Sequence, residues 1–93
     1  MATELLGVRL LGKKTSVGTT ATKIPATALT GRQSIDILND GSNIIFIGDS
    51  TVTTANGYPL AAGESKVFDA ADGCVIYGRV VTGTEDARSL EGK

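Results

Sequence analysis

Asn43 to Thr53, NIIFIGDSTVT, carries an apolar run straight into Gly48-Asp49-Ser50. A serine presented on the turn after a strand can act as a nucleophile. It does so only if a general base takes its proton and, in most such sites, an acidic residue orients that base. The base is a histidine, and the chain contains none. The turn should also lead into a helix, yet Ser50 is followed by Thr51-Val52-Thr53-Thr54, which is poor helix material. The expected role is therefore conformational. Gly48 lets the strand bend or bulge, and Asp49 and Ser50 hydrogen-bond nearby backbone to shape the turn.

Gly48-Asp49-Ser50 is similar in its letters to the nucleophile turn of the SGNH/GDSL esterases, but those enzymes need an α/β domain much longer than 93 residues. The remaining candidates for chemistry point the same way. Asp36, Asp40, Asp49, Asp69 and Asp72 fall at turns or strand positions where solvated carboxylates are ordinary, so no glycosidase pair stands out. A weak Ca²⁺ site around Asp69 to Asp72 competes with plain turn polarity. No phosphate loop or EF-hand spacing occurs. Cys74 is the single cysteine, has no partner for an internal disulfide or a zinc site, and reads as a small buried hydrophobe. The expectation is a protein that is not an enzyme and has no cofactor, no catalytic residues and no metal.

Composition limits the partners. The chain has net charge −1, 41% hydrophobic and 4% aromatic residues, and 12 glycines. Its one basic pair, Lys13-Lys14, lacks the charge and aromatic ladder of a nucleic-acid binder. The apolar run Leu5 to Leu11 is interrupted by Gly7 and Arg9 and has no basic flank, which argues against a signal peptide or a membrane span and for a soluble protein. One domain of this size buries roughly 60–65% of its unfolded surface, so association with other chains would add to a thin stability margin.

The elements that must position these residues are strands. From Thr15 onward Thr, Val, Ile and Gly dominate, with no long stretch of helix formers. Expected strands are Thr15 to Ile24, Gln33 to Asn39, Ile44 to Gly48, Glu64 to Asp69, Val75 to Val81 and Asp86 to Leu90. The architecture is then all-β, a small antiparallel β-sandwich or barrel, jelly-roll-like, over residues 15–93 with an N-terminal arm at 1–14. Asn39-Asp40-Gly41 predicts a tight hairpin whose flanking strands pair antiparallel. Asn56 to Pro59 and Ala61 to Glu64 read as turns, with Pro59 at a strand end or edge.

Faces indicate where partners would dock. Ile35 and Ile37 alternate with Ser34, Asp36 and Leu38, as in a half-buried strand. Ile44 to Ile47 is apolar on both faces, which requires a cover over each, from the domain itself or from a neighbouring subunit. Leu38, Ile44 and Phe46 are the candidate second apolar face. In the arm, Leu5, Leu6, Val8, Leu10 and Leu11 gain about 1.5–3 kcal/mol each only on finding a surface, in their own domain or in another chain.

The runs Val17 to Pro25, Leu29 to Asn39, Gly41 to Gly48 and Ser50 to Ser65, closed by Val75-Ile76-Tyr77-Gly78, resemble a small β-sandwich module of tailed-bacteriophage virion proteins. The most specific portion is Thr53-Thr54-Ala55-Asn56-Gly57-Tyr58-Pro59-Leu60-Ala61-Ala62-Gly63-Glu64. The resemblance implies a virion structural protein assembled in the host cytoplasm: a capsid decoration (cement) protein that self-associates, as a homotrimer, and binds the major capsid protein or another virion protein. A tail or adsorption-apparatus component is the alternative. A carbohydrate-binding sandwich is a reading of another class, which would need platforms among Phe46, Tyr58, Phe68 and Tyr77.

Overall fold

The computed structural model describes residues 9–93. Eight strands follow in order: β1 (Leu10–Val17), β2 (Thr22–Lys23), β3 (Ser34–Asn39), β4 (Ile45–Gly48), β5 (Tyr58–Leu60), β6 (Ser65–Phe68), β7 (Tyr77–Arg79) and β8 (Glu85–Gly92). There is no helix among the described residues. The strands form two four-stranded sheets, β1-β8-β3-β6 and β2-β7-β4-β5, in which every neighbouring pair is antiparallel. The expected all-β sandwich is the observed fold.

Period-two alternation builds the core. Val17, Ile35, Ile37 and Ala87 face inward from the first sheet and meet Ile45, Ile47, Leu60 and Val80 of the second, with Ile24 and Ile76 at one end. Gly78 sits on β7 where core side chains press against the backbone: a Cβ there would come 2.6 Å from Ile24 Cδ1 and 3.0 Å from Ile45 Cγ2.

β8 is the spine of the first sheet, pairing with β1 along eight residues and with β3 along six. Its inward row is Glu85, Ala87, Ser89 and Glu91, all buried. Two carboxylates thus point into the sandwich, and each is matched. Glu91 Oε2 accepts from Arg32 Nη1 at 3.1 Å and from the Leu29 amide at 2.8 Å, while Lys13 Nζ stands 3.6 Å from Oε1. Glu85 accepts from the backbone amides of Ser42 at 3.1 Å and Asn43 at 3.0 Å, and from Asn43 Nδ2 at 2.6 Å. Burying ionised groups is tolerable only with such partners, and Glu91 Oε1, which accepts no hydrogen bond, relies on the charge of the nearby Lys13.

Several expectations are corrected. The strands flanking Asp40-Gly41 do not pair: β3 and β4 belong to different sheets, and the turn is a crossover. Its geometry is set by side chains. Asn39 Nδ2 donates to the Asn43 and Leu60 carbonyls at 2.7 and 2.8 Å, Asn39 Oδ1 receives the Gly41 amide at 3.0 Å, and Glu85 holds the next two residues. Gly41 is not among the glycines with positive φ, so the hairpin chemistry of Asp-Gly is not used. The stretch Thr15 to Ile24 is split between sheets, with β1 ending at Val17 and β2 holding only Thr22–Lys23. Residues 10–14, assigned to the arm, form the first part of β1. Tyr58–Leu60, read as part of a turn, is an edge strand, with Pro59 at the edge where it forfeits no ladder bond. Cys74 is exposed, not buried. The turn at Ala61 to Glu64 forms as expected, with Gly63 at φ 80° and Glu64 Oε1 accepting the Ala61 amide at 2.8 Å.

Candidate functional site

At the end of β4, Asp49 Oδ1 accepts two hydrogen bonds from Thr51, one from the hydroxyl at 2.6 Å and one from the amide at 2.8 Å. These bonds, the hydroxyl's first, hold the Asp49 carboxyl below its ordinary value. The folded-state preference is for the carboxylate, so this contribution to stability is present at neutral pH and is lost as pH falls through the lowered value. A carboxylate engaged in this way shapes the turn. Val52 then folds back over Gly48, where a Cβ would lie 2.9 Å from Val52 Cγ2, and becomes buried. Ser50 lies exposed at the tip.

The next turn supports an aromatic ring. Thr53 Oγ1 accepts the Ala55 and Asn56 amides, Asn56 Oδ1 accepts the Thr53 amide, and the Gly57 amide donates to the Thr53 carbonyl. A Cβ on Gly57 would stand 2.5 Å from Phe46 Cβ and 2.9 Å from Thr53 O, atoms that cannot swing aside. Gly57→Ala is therefore expected to cost about 1–3 kcal/mol and to displace Phe46. Gly73→Ala, where nothing lies within 4 Å, should leave the thermal melt unchanged and serves as the comparison.

Phe46 is half-buried and belongs to an apolar depression on the outer face of the second sheet. The depression, about 390 Å³, is lined by Ser42, Asn43, Ile44, Phe46, Val81 and Thr82. Ile44 is 43% exposed and Val81 69%. The second face of the Ile44 to Ile47 run is thus left open by the domain's own chain. The Glu85 carboxylate, gripping Ser42 and Asn43 from beneath, fixes the residues that lead into Ile44.

The candidate interaction residues are divided by the fold. Ile44 and Phe46 share the outer face of the second sheet, whereas Leu38 lies on the outer face of the first, across the sandwich, because Ile37 beside it points into the core. Leu5, Leu6 and Val8 lie outside the described residues. Leu10 is 68% exposed and Leu11 half-buried, opposite Gly92 and Glu91 of β8. Composition gave no hint of Val67 and Leu90, which are also exposed on the outer side of the first sheet; the registers of β3 with β8 and β6 place both beside Asp36.

The other chemistry-bearing groups are structural. A cleft of about 630 Å³ between β1 and the segment 22–27 is bordered by Lys13, Lys14 and Lys23. Lys13 is turned to Glu91 and the Thr27 carbonyl, and Lys14 lies 3.5 Å from Asp86. Asp72 accepts the Gly31 amide at 2.7 Å. No group of three or more His, Cys, Asp or Glu is arranged for a metal among the described residues. Of the aromatic residues, Tyr58 is the most open, and Lys66 Nζ sits 5.7 Å from its ring centroid. No helix of the described residues is long and apolar enough to cross a membrane. No family model, curated protein or solved structure matches the chain.

Proposed function

We propose that this chain is a non-enzymatic structural protein of a tailed-phage virion, a capsid decoration protein that self-associates and binds the assembled head. The observation that carries this reading is the open depression at Ile44, Phe46 and Val81, built on a rigid sheet and held from below by Glu85 and Gly57. A surface of this kind supports docking onto another protein better than catalysis, because Ser50 has no histidine in the chain to activate it and Asp49 is committed to Thr51. Many copies, each held by a small apolar contact, add up to firm attachment on a repetitive shell.

Cosedimentation of the purified protein with assembled phage heads, and separately with tails, tests the reading. Saturable binding to heads is expected, weakened at least about tenfold by Ile44→Asp with Val81→Asp, since each buried aliphatic side chain contributes about 1.5–3 kcal/mol. Both side chains are exposed, so the variant keeps its fold. Binding to tails alone moves the protein to the tail apparatus, and binding to neither removes the proposal.

A further inference from the structure

The two edges of the first sheet, which have no strand partner among the described residues, are complementary to each other, and we propose that copies of this chain join head to tail by pairing β1 of one with β6 of the next. This rests on the self-association within the reading above for its biological setting, although its test needs only the purified protein.

The ladder geometry makes the argument. Arg9 and Lys93 exchange both backbone hydrogen bonds, at 3.0 and 3.1 Å, so in β1 the odd residues turn their amides and carbonyls toward β8. Leu10, Gly12, Lys14 and Ser16 turn theirs outward, and no backbone partner meets them among the described residues. On the far edge the Asn39 amide donates to the Glu64 carbonyl at 2.9 Å, which sets the opposite parity: Lys66 and Phe68 bond to β3, while Ser65 and Val67 face open solvent. The side chains of both outward-facing sets lie on the outer face of the sheet. An antiparallel β1–β6 contact between copies therefore continues the pleat in phase, with Leu10 and Val67 on the same face. These are the two most exposed apolar side chains of the first sheet, at 68% and 61%.

Strand direction agrees as well. The order β1-β8-β3-β6 alternates up and down, so a copy placed alongside in the same orientation presents its β1 antiparallel to β6. With Leu10 opposite Val67, Gly12 meets Ser65, and Lys13 falls opposite Glu64 with its ammonium still on Glu91, so no like charges are opposed. Self-pairing of β1 would instead bring the Lys13 and Lys14 residues of two copies together. Edge lysines commonly guard against strand addition, but here Lys13 is drawn to Glu91 and Lys14 to Asp86 on their own sheet, so neither stands across the edge. The second sheet lacks the same option on its β5 side, where Pro59 interrupts the donors. A head-to-tail contact of this kind is heterologous and closes into a ring when its rotation divides a full turn.

Light scattering on the purified protein should give a discrete multiple of 9.5 kDa. Val67→Pro removes the outward amide of β6 and the side chain set opposite Leu10 while sparing the bonds of β6 to β3, so it should reduce the mass to one copy with little change in the far-ultraviolet circular dichroism. For direct proof, Leu10→Cys and Val67→Cys are made separately in a Cys74→Ser background. Mixed and oxidised, the two should form a disulfide-linked pair, while each alone should form none. A monomeric wild-type protein, an unchanged mass for Val67→Pro, or cross-linking of either single variant with itself overturns the proposal. A ring-forming protein that ignores phage heads would sink the function and leave this inference standing; a monomer that binds heads would sink this inference and the self-association while leaving head binding standing.

Discussion

Arg32→Ala should lower the stability of the domain by about 3–5 kcal/mol, the range for removing one partner of a buried ion pair. Arg32 is 3% exposed, and four of the five donors of its guanidinium are used: Nε donates to the Ala70 carbonyl at 2.9 Å, Nη1 to Glu91 at 3.1 Å, and Nη2 to the Ala71 and Cys74 carbonyls at 2.9 and 2.8 Å. One side chain thus pins the segment 70–74 to the end of β8. Its loss leaves three carbonyls short of a donor and leaves Glu91 facing only the Leu29 amide and Lys13. Against a total stability of roughly 5–14 kcal/mol for a domain of this length, that is a large share. The melting temperature should fall by more than about 10 °C. Arg32→Lys should not rescue it, because one ammonium cannot span a carboxylate and three carbonyls in different directions. A shift of only a few degrees for Arg32→Ala would show that the segment is held by something else.

Glu85→Ala should cost about 2 kcal/mol, with the damage confined to one corner. The carboxylate takes four contacts from Ser42 and Asn43, the longest the Ser42 hydroxyl at 3.5 Å. Without it those amides must turn to water, which the exposed loop permits, so the cost is below that of a fully buried loss. Amide exchange should accelerate at Ser42 and Asn43 while the β1–β8 ladder stays protected. Gly41→Ala should reproduce the effect without touching the acid, since a Cβ there would lie 1.9 Å from Glu85 Oε1 and force the carboxylate out of place. The double variant should be scarcely worse than either single one, as expected when both changes break the same contact. Additive losses would separate the glycine from the acid.

Part of this design is legible in the residues. Ile35, Ile37, Ile45 and Ile47 declare the inward faces by alternation, and the Ala61 to Glu64 turn follows from a glycine with positive φ beside a carboxylate that closes the loop. Asp40-Gly41 misleads because the signal for a hairpin is local, whereas the bonds that decide the turn come from Glu85 and Leu60, far along the chain. β8 is the harder case. Glu-Asp-Ala-Arg-Ser-Leu-Glu-Gly presents Leu90 as its most apolar side chain, yet Leu90 faces outward and both glutamates face in. Hydropathy alone assigns the faces of that strand in reverse; only the opposing Arg32, Lys13 and loop amides make its acids affordable inside. The depression at Ile44 and Phe46 was readable as an uncovered face, but Val81 joins it through the pairing of β4 with β7, which no local pattern encodes.

The central place of β8 bears on how the chain is made. Of the eight strands it leaves the ribosome last, yet β1, the first of them, has no other neighbour in its sheet among the described residues. The nascent chain must hold β1 and β3 without their shared partner until translation has nearly finished the described sequence, so the first sheet can close only after release of its final strand. Closure of the first sheet should therefore be slow for so small a domain, and a chain cut before β8 should leave β1 and β3 unpaired and open to proteolysis.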